Sequence, residues 1–316
     1  MRVVVTDQAF GNVAHERAVA EAAGAAFADH QCRSEEETLD AVRGASVVFN
    51  NFAPMNARTM GVMEKGATVI RYGVGVDNVD LQAARSLGVH VCNVPDYGVE
   101  EVADHASAMA LALARKLGRY DAGIRAGGWK IGEMVDHVRS LSQTTVGLVG
   151  FGRIARAFAR RMQAFGAEVI ACDPYVSQAD AEAAQAKMLP LADVISSADI
   201  LSLHVPLTPE TRHMIGRAEI AGMRKGSILI NVSRGGLIDE AALAEALMDG
   251  HLSGAGLDVF EKEPLPADSP LRAAPNTIFS PHAAFFSDAS VERLQKLAAE
   301  EGLRALKGEP LRCALT

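Results

Sequence analysis

The chain has little of what marks secreted, membrane or nucleic-acid-binding proteins. Its 316 residues hold four cysteines, Cys32, Cys92, Cys172 and Cys313, far apart and with no C-x-x-C pair. That spacing speaks against a disulfide frame or a zinc site and suits the reduced thiols of a cytoplasmic protein. The most apolar segment, Ala106 to Ala114, falls far short of the roughly 20 residues that span a bilayer. The N-terminus, Met1-Arg2-Val3-Val4-Val5-Thr6-Asp7, reads as a strand and lacks the apolar core and cleavage pattern of a signal peptide. There is no basic excess: the formal net charge is −8, whereas nucleic-acid binding leaves a basic footprint. With 49% hydrophobic residues and no low-complexity tract, the chain is long enough for two domains with proper cores. The expectation is a soluble cytoplasmic protein without a nucleic-acid partner, a membrane partner or a metal.

What the chain does have is a steady alternation of short β-branched runs and helical patterns, the mark of parallel α/β sheets. Strands read near Arg2–Val5, Ser46–Phe49, Thr68–Arg71 and His90–Cys92, with helices near Val13–Ala23, Glu36–Val42 and Leu81–Leu87 between them. A single long alanine-rich helix is expected from Glu100 to about Arg125. Further strands read near Glu168–Cys172, Ile200–His204, Ser227–Val232, Ala255–Asp258 and Thr277–Ser280, and a last helix from Ser290 to about Leu306.

In mid-chain, Thr145-Val146-Gly147-Leu148-Val149-Gly150-Phe151-Gly152-Arg153-Ile154-Ala155 runs from a buried-strand pattern through glycines into a helix. Read as G-x-G-x-x-G/A, it uses Gly150 for a tight turn, Gly152 for close approach of a pyrophosphate, and Ala155 for helix–strand packing. The pyrophosphate belongs at the helix N-terminus, where N–H groups and the helix dipole favour anions. Asp173 closes the next strand about 20 positions on, where an acid binds the adenosine ribose and repels a 2′-phosphate. The pattern points to NAD rather than NADP.

A second glycine loop, Arg71-Tyr72-Gly73-Val74-Gly75-Val76-Asp77, lacks the small third residue and the answering acid. It reads as a backbone nest for a small anion such as a carboxylate, or as a plain tight turn. Three polar residues follow predicted strands, where open parallel sheets bind ligands: Arg234, Asp258 (with Glu263 in its loop) and His282. Histidine titrates in the range needed to move a hydroxyl proton. A neighbouring carboxylate fixes its tautomer, and arginine offers forked donors to a carboxylate. Singly, each has an ordinary alternative: Arg234 as a surface loop charge, Glu263 as a solvated turn residue, His282 as a capped loop histidine. His204 borders the cofactor or serves structurally; His105 reads as structural, and His137 and His213 carry no constellation.

Taken together, these blocks resemble the D-isomer-specific 2-hydroxyacid dehydrogenase family over nearly the full length. The blocks are Tyr72–Asp80, Asn93-Val94-Pro95, Val146–Ala155, His204–Thr208, Asn231–Asp239, Leu257–Pro264 and Pro281-His282. The resemblance implies an α/β fold in which a Rossmann-type doubly wound parallel sheet, residues 98–284, is inserted into a smaller flavodoxin-like substrate domain, residues 1–97 and 285–316. It implies an NAD-dependent oxidoreductase interconverting a 2-keto acid and a D-2-hydroxy acid, with Arg234, Glu263 and His282 as catalytic residues. Val74 and Gly75 would offer N–H groups to the substrate carboxylate. Arg153 and Ile154 would lie at the pyrophosphate and Asp173 at the ribose, while His204, Val205, Pro206, Val232 and Asp258 would border the cofactor. A homodimer is also implied, its contact expected at the long helix and the following Gly127–Gln143 segment.

Within the family, Asn93–His105 and His282-Ala283-Ala284-Phe285-Phe286-Ser287 are similar to the C-terminal-binding-protein branch, with phenylalanines in place of its usual tryptophan and tyrosine. For 3-phosphoglycerate, an arginine is wanted in the small domain. Arg71 is a candidate, but Phe49-Asn50-Asn51-Phe52-Ala53-Pro54-Met55 forms a neutral rim, and no C-terminal regulatory domain is expected. The reading favours a 2-keto acid with a moderately apolar tail near Phe285 and Met55. The alternatives are a D-3-phosphoglycerate dehydrogenase and an NAD(H)-gated, corepressor-like binding protein.

Overall fold

The computed structural model describes residues 1–135 and 137–316. It divides into two compact units, Met1–Gly98 with Phe286–Thr316, and Val99–Phe285. The first unit carries five parallel strands: β1 (Arg2–Val5), β2 (Ala26–Asp29), β3 (Val47–Asn50), β4 (Thr68–Arg71) and β5 (His90–Asn93). Their order, β2-β1-β3-β4-β5, is that of a flavodoxin-like doubly wound sheet. β3 and β4 are buried along their whole length, which is why they read as continuous apolar runs rather than alternating ones. The closing helix, Asp288–Lys307, starts at a Ser287 cap and packs on β3 and β4. β2 escapes the sequence pattern because Ala26-Phe27-Ala28-Asp29 has no β-branched residue and none of its residues is fully buried.

The second unit holds seven parallel strands: β6 (Thr145–Val149), β7 (Glu168–Cys172), β8 (Lys187–Met188), β9 (Ile200–Leu203), β10 (Ile228–Asn231), β11 (Gly254–Leu257) and β12 (Thr277–Phe279). The order is β12-β11-β10-β9-β6-β7-β8. The chain winds outward from β6 to β8, then restarts at β9 on the other side of β6. The crevice where the winding direction reverses, beyond the carboxyl ends of β6 and β9, is where such sheets bind ligands. The fold is therefore α/β, a Rossmann-type doubly wound sheet accompanied by a smaller flavodoxin-like one. Among the described residues no helix is long and apolar enough to cross a membrane.

The single helix expected from Glu100 to Arg125 is two helices, Val99–Ala114 and Leu117–Arg125. The break falls at Lys116, whose φ of 57° lies in the left-handed region, and Gly118 just beyond is a poor helix former. The first helix is held by an apolar face on β10, β11 and the helix Arg153–Ala164. None of the second helix's residues is buried, so the packing that sustains the first does not continue into it.

Candidate active site

The fingerprint turn is shaped by what lies against it. Gly150 has a φ of 89°, and a Cβ there would fall 2.6 Å from the His204 carbonyl oxygen, so only glycine lets the ends of β6 and β9 approach this closely. Gly152 caps the helix Arg153–Ala164 with no side-chain bond to its first N–H groups. A Cβ on Gly152 would meet nothing within 4 Å, so the helix N-terminus opens onto space with room for an anion. Arg153 is exposed and Ile154 half-buried at this end, while Ala155 packs in the core. The Asp173 carboxylate accepts hydrogen bonds from Phe151 N (2.8 Å) and Tyr175 N (2.8 Å), one on each oxygen. That fixes it beside the glycine turn with acceptor capacity remaining on both oxygens. The open cradle, the bare helix N-terminus and the fixed acid fit a dinucleotide.

His204 contributes to this crevice through its main chain. Its Nε2 lies 2.9 Å from Ser202 Oγ and its ring packs on Phe158, with centroids 5.6 Å apart. Burial pushes its pKa down to about 4, so the imidazole is neutral and structural. Val205 is half-buried, Pro206 exposed and Val232 buried.

The ends of β10, β11 and β12 carry the polar residues singled out from the sequence. Asn231 shapes the first loop: its Oδ1 accepts from Ser233 N (3.0 Å) and its Nδ2 donates to Arg234 O (2.8 Å). A Cβ on Gly235 would fall 1.8 Å from the Phe260 carbonyl carbon. The Arg234 loop therefore lies backbone to backbone against the loop bearing Glu263. Glu263 accepts from Phe260 N on one oxygen (3.1 Å) and faces His282 Nδ1 with the other (2.8 Å). Burial pushes the Glu263 carboxyl up, but the hydrogen bond and charge of His282, the Phe260 N–H and the Arg234 charge outweigh it and hold it below the usual glutamate value. With Nδ1 donating to the carboxylate, Nε2 is the ring nitrogen that exchanges a proton.

His282 has a φ of 54°, a conformation that costs a side-chain-bearing residue of order 1–3 kcal/mol and persists only where the surroundings impose it. Asp258 imposes it. The Asp258 carbonyl accepts from His282 N (2.7 Å), and its carboxylate accepts from Ala283 N (2.8 Å), Ala284 N (2.9 Å) and Ser280 Oγ (2.5 Å). At 1% exposure, that side chain faces the His282 loop. His105, read as merely structural, bonds Ser280 Oγ through Nε2 (2.8 Å). His213, thought to lack a constellation, meets Glu261 together with Arg212.

In the first unit, Gly73 turns with a φ of 118°. The Val74 and Gly75 N–H groups after it have no acceptor among the described residues, while Val74 O accepts from Asn93 Nδ2 (2.6 Å). The Asp7 carboxylate collects the N–H groups of Asn51, Phe52 and Ala53 and leaves Phe52 57% exposed. One expectation changes here. Met55 is wholly buried in the apolar core and borders no substrate. Arg71 is 8% exposed, and its Nη1 lies 2.0 Å from where a Gly73 Cβ would stand, so its guanidinium packs against the turn. Phe285 is half-buried.

Comparison with known proteins accords with this architecture. Residues 107–284 match the family model described as "D-isomer specific 2-hydroxyacid dehydrogenase, NAD binding domain". A D-3-phosphoglycerate dehydrogenase of Methanocaldococcus jannaschii is 39% identical over 286 residues, covering 87% of this chain and 52% of that protein. The chain thus spans about half the length of the phosphoglycerate dehydrogenases it matches. A glyoxylate reductase of Korarchaeum cryptofilum is 38% identical over 258 residues, 81% of this chain and 78% of that protein. The crystal structure of a D-lactate dehydrogenase from Aquifex aeolicus, complexed with NAD and lactic acid, superposes with a TM-score of 0.87 at 28% identity. It covers 98% of this chain and 96% of that one. With the fingerprint crevice and its matched NAD-binding domain in place, the chain belongs to the D-isomer specific 2-hydroxyacid dehydrogenase family.

Proposed function

We propose that the protein is an NAD-dependent D-2-hydroxyacid dehydrogenase that interconverts a small 2-keto acid and the D-2-hydroxy acid. The observation that carries the reading is the Glu263–His282 pair, 2.8 Å apart, beside the Arg234 loop on the sheet that bears the dinucleotide fingerprint. Gly150, Gly152, Arg153, Ile154, Asp173 and Asp258, with the main chain at His204, Val205, Pro206 and Val232, are assigned to the cofactor. When bound, NADH supplies the hydride that reduces the keto carbon. His282, protonated on Nε2, gives its proton to the oxygen as it becomes an alkoxide and takes it back in the oxidative direction. Glu263 stabilises the imidazolium and fixes its orientation. Arg234 binds the carboxylate and polarises the carbonyl beside it, and the Val74 and Gly75 N–H groups hold the carboxylate.

The substrate tail we assign is uncharged and moderately apolar, with Phe285 beside it. Two relatives bear the names phosphoglycerate dehydrogenase and glyoxylate reductase, and both substrates are arms of the test. Arg71 is the candidate to hold a phosphate, and against the phosphate stands the neutral stretch Phe49–Met55, which adds no second arginine. The protein is assigned to the cytoplasm, where its four cysteines stay as free thiols, and to a homodimer. The helices Leu117–Arg125 and Ile131–Met134 contain no buried residue, and Trp129 (84%) and Ile131 (69%) stand exposed, as a surface awaiting a second copy would. Of the Gly127–Gln143 segment expected there, residue 136 lies outside the described residues.

Initial rates of NADH oxidation decide the matter, measured with 3-phosphohydroxypyruvate, glyoxylate, hydroxypyruvate, pyruvate and branched 2-keto acids, each with a His282→Ala control. A His282-dependent rate that favours an uncharged tail supports the reading. A preference for 3-phosphohydroxypyruvate replaces the substrate assignment with phosphoglycerate. Tight NADH binding without turnover on any member moves the weight to an NAD(H)-gated binding protein of the corepressor type.

A further inference from the structure

The loop that ends in His282 is tied to a residue far from it in sequence. A serine hydroxyl has one proton to give. Ser280 directs its proton at the Asp258 carboxylate (2.5 Å), so the 2.8 Å contact with His105 Nε2 requires the histidine to be the donor. The result is a chain of donors, His105 Nε2–H to Ser280 Oγ–H to Asp258 Oδ1, ending on a carboxylate that also gathers the N–H groups of Ala283 and Ala284. Among the described residues, His105 is the one basic side chain within ion-pair distance of the buried Asp258, with Nε2 3.8 Å from Oδ1. The helix Val99–Ala114 therefore reaches the end of β12 through a polar relay as well as through its apolar face.

We propose that His105 is a positioning residue for His282. Through Ser280 it orients the Asp258 carboxylate, and that carboxylate holds residues 282–284 in the left-handed turn that sets the His282 ring against Glu263. With the relay cut, Asp258 can rotate away from Ala283 and Ala284. The turn then loses the bonds that impose its unfavourable φ, and the Nδ1–Glu263 contact loosens. A histidine that only filled space on its helix would affect stability and leave that contact alone.

The role rests on the reading of His282 as the proton donor, so its test includes a measurement that needs no turnover. Protein labelled with ¹⁵N-histidine is compared as wild type, His105→Leu, His105→Gln and Ser280→Ala, with His282→Ala assigning the signal. The wild type is expected to show a far-downfield His282 Nδ1–H resonance from its bond to Glu263. His105→Leu and Ser280→Ala should each lose or broaden it and lower kcat about tenfold, with KM for the keto acid changing less than twofold. His105→Gln, whose amide can still donate to Ser280, should keep both. The proposal is overturned if the resonance and kcat of His105→Leu and Ser280→Ala match the wild type while only the melting temperature falls. If the wild type turns over no keto acid, the dehydrogenase reading fails, and the resonance alone still decides whether His105 positions His282.

Discussion

His282 sits in a left-handed backbone conformation, bonded through its own N–H to Asp258 and through Nδ1 to Glu263. Replacing its ring by a methyl group should remove the proton donor and leave the dinucleotide crevice alone. His282→Ala is expected to lower kcat by about 10²–10⁴-fold, the usual share of general acid–base catalysis, with NADH affinity by calorimetry unchanged. An equal loss of affinity would assign His282 to the cofactor instead. Asp173, whose oxygens are fixed by Phe151 and Tyr175 N–H groups, is expected to exclude a 2′-phosphate. Asp173→Ala should therefore raise the ratio of NADPH to NADH rates, and an unchanged ratio removes Asp173 from the ribose. Arg234, Glu263 and His282 are visible in the sequence as polar residues just past strands. The relay of His105, Ser280 and Asp258 is not, because its members lie on separate elements up to 175 positions apart and each alone looks ordinary.

At the scale of elements, strands with two buried faces are the most legible, since both faces demand apolar residues. β1, β4 and β7 stand where the alternation of the sequence puts them. β2 and β8 are short, partly exposed edge strands whose residues carry no such demand, and the sequence does not reveal them. The long helix fails as an expectation for a related reason. Alanine-rich composition favours helix throughout, but the apolar face that anchors Val99–Ala114 has no counterpart in Leu117–Arg125. Loop contacts are equally hidden: nothing local says that Gly235 must let the backbone of Phe260 through. Gly235→Ala would place a Cβ 1.8 Å from the Phe260 carbonyl carbon. The forced shift should destabilise the fold by about 1–3 kcal/mol or more and part the Arg234 and Glu263 loops. Denaturant unfolding alongside kcat tests both effects, and a stable, fully active variant would contradict the packing described.

For the molecule as a whole, two carboxyls, one buried and one hydrogen-bonded near the surface, set opposite dependences of stability on pH. Glu16 in the first unit is buried and accepts from Tyr72 OH (2.8 Å). Burial pushes its pKa up more than that bond, its own backbone hydrogen bond and His15 pull it down. A raised folded-state value means that the native chain holds the proton longer. Its contribution is therefore full below the unfolded value and lost as pH rises through the folded one. Glu16→Gln should gain stability relative to wild type as pH climbs above the usual glutamate range, and a pH-independent difference in melting temperature would refute the shift. Glu263 behaves in reverse: its lowered value means stability present above the usual glutamate range and lost on acidification, so Glu263→Gln should flatten the acid limb of the stability curve.

Local patterning by itself determined the α/β class, the parallel alternation, the fingerprint crevice and the polar residues poised after strands. Each of these needs only a strand's buried faces, a glycine's backbone or a spacing along one βαβ unit. Tertiary structure alone decided which of those side chains are buried and which partners they meet. It buried Arg71 and Met55, turned Asp258 onto the His282 loop and joined His105 to Ser280. Those outcomes depend on contacts between elements distant in the chain, where hydrogen-bond direction and packing space, rather than residue type, settle the role.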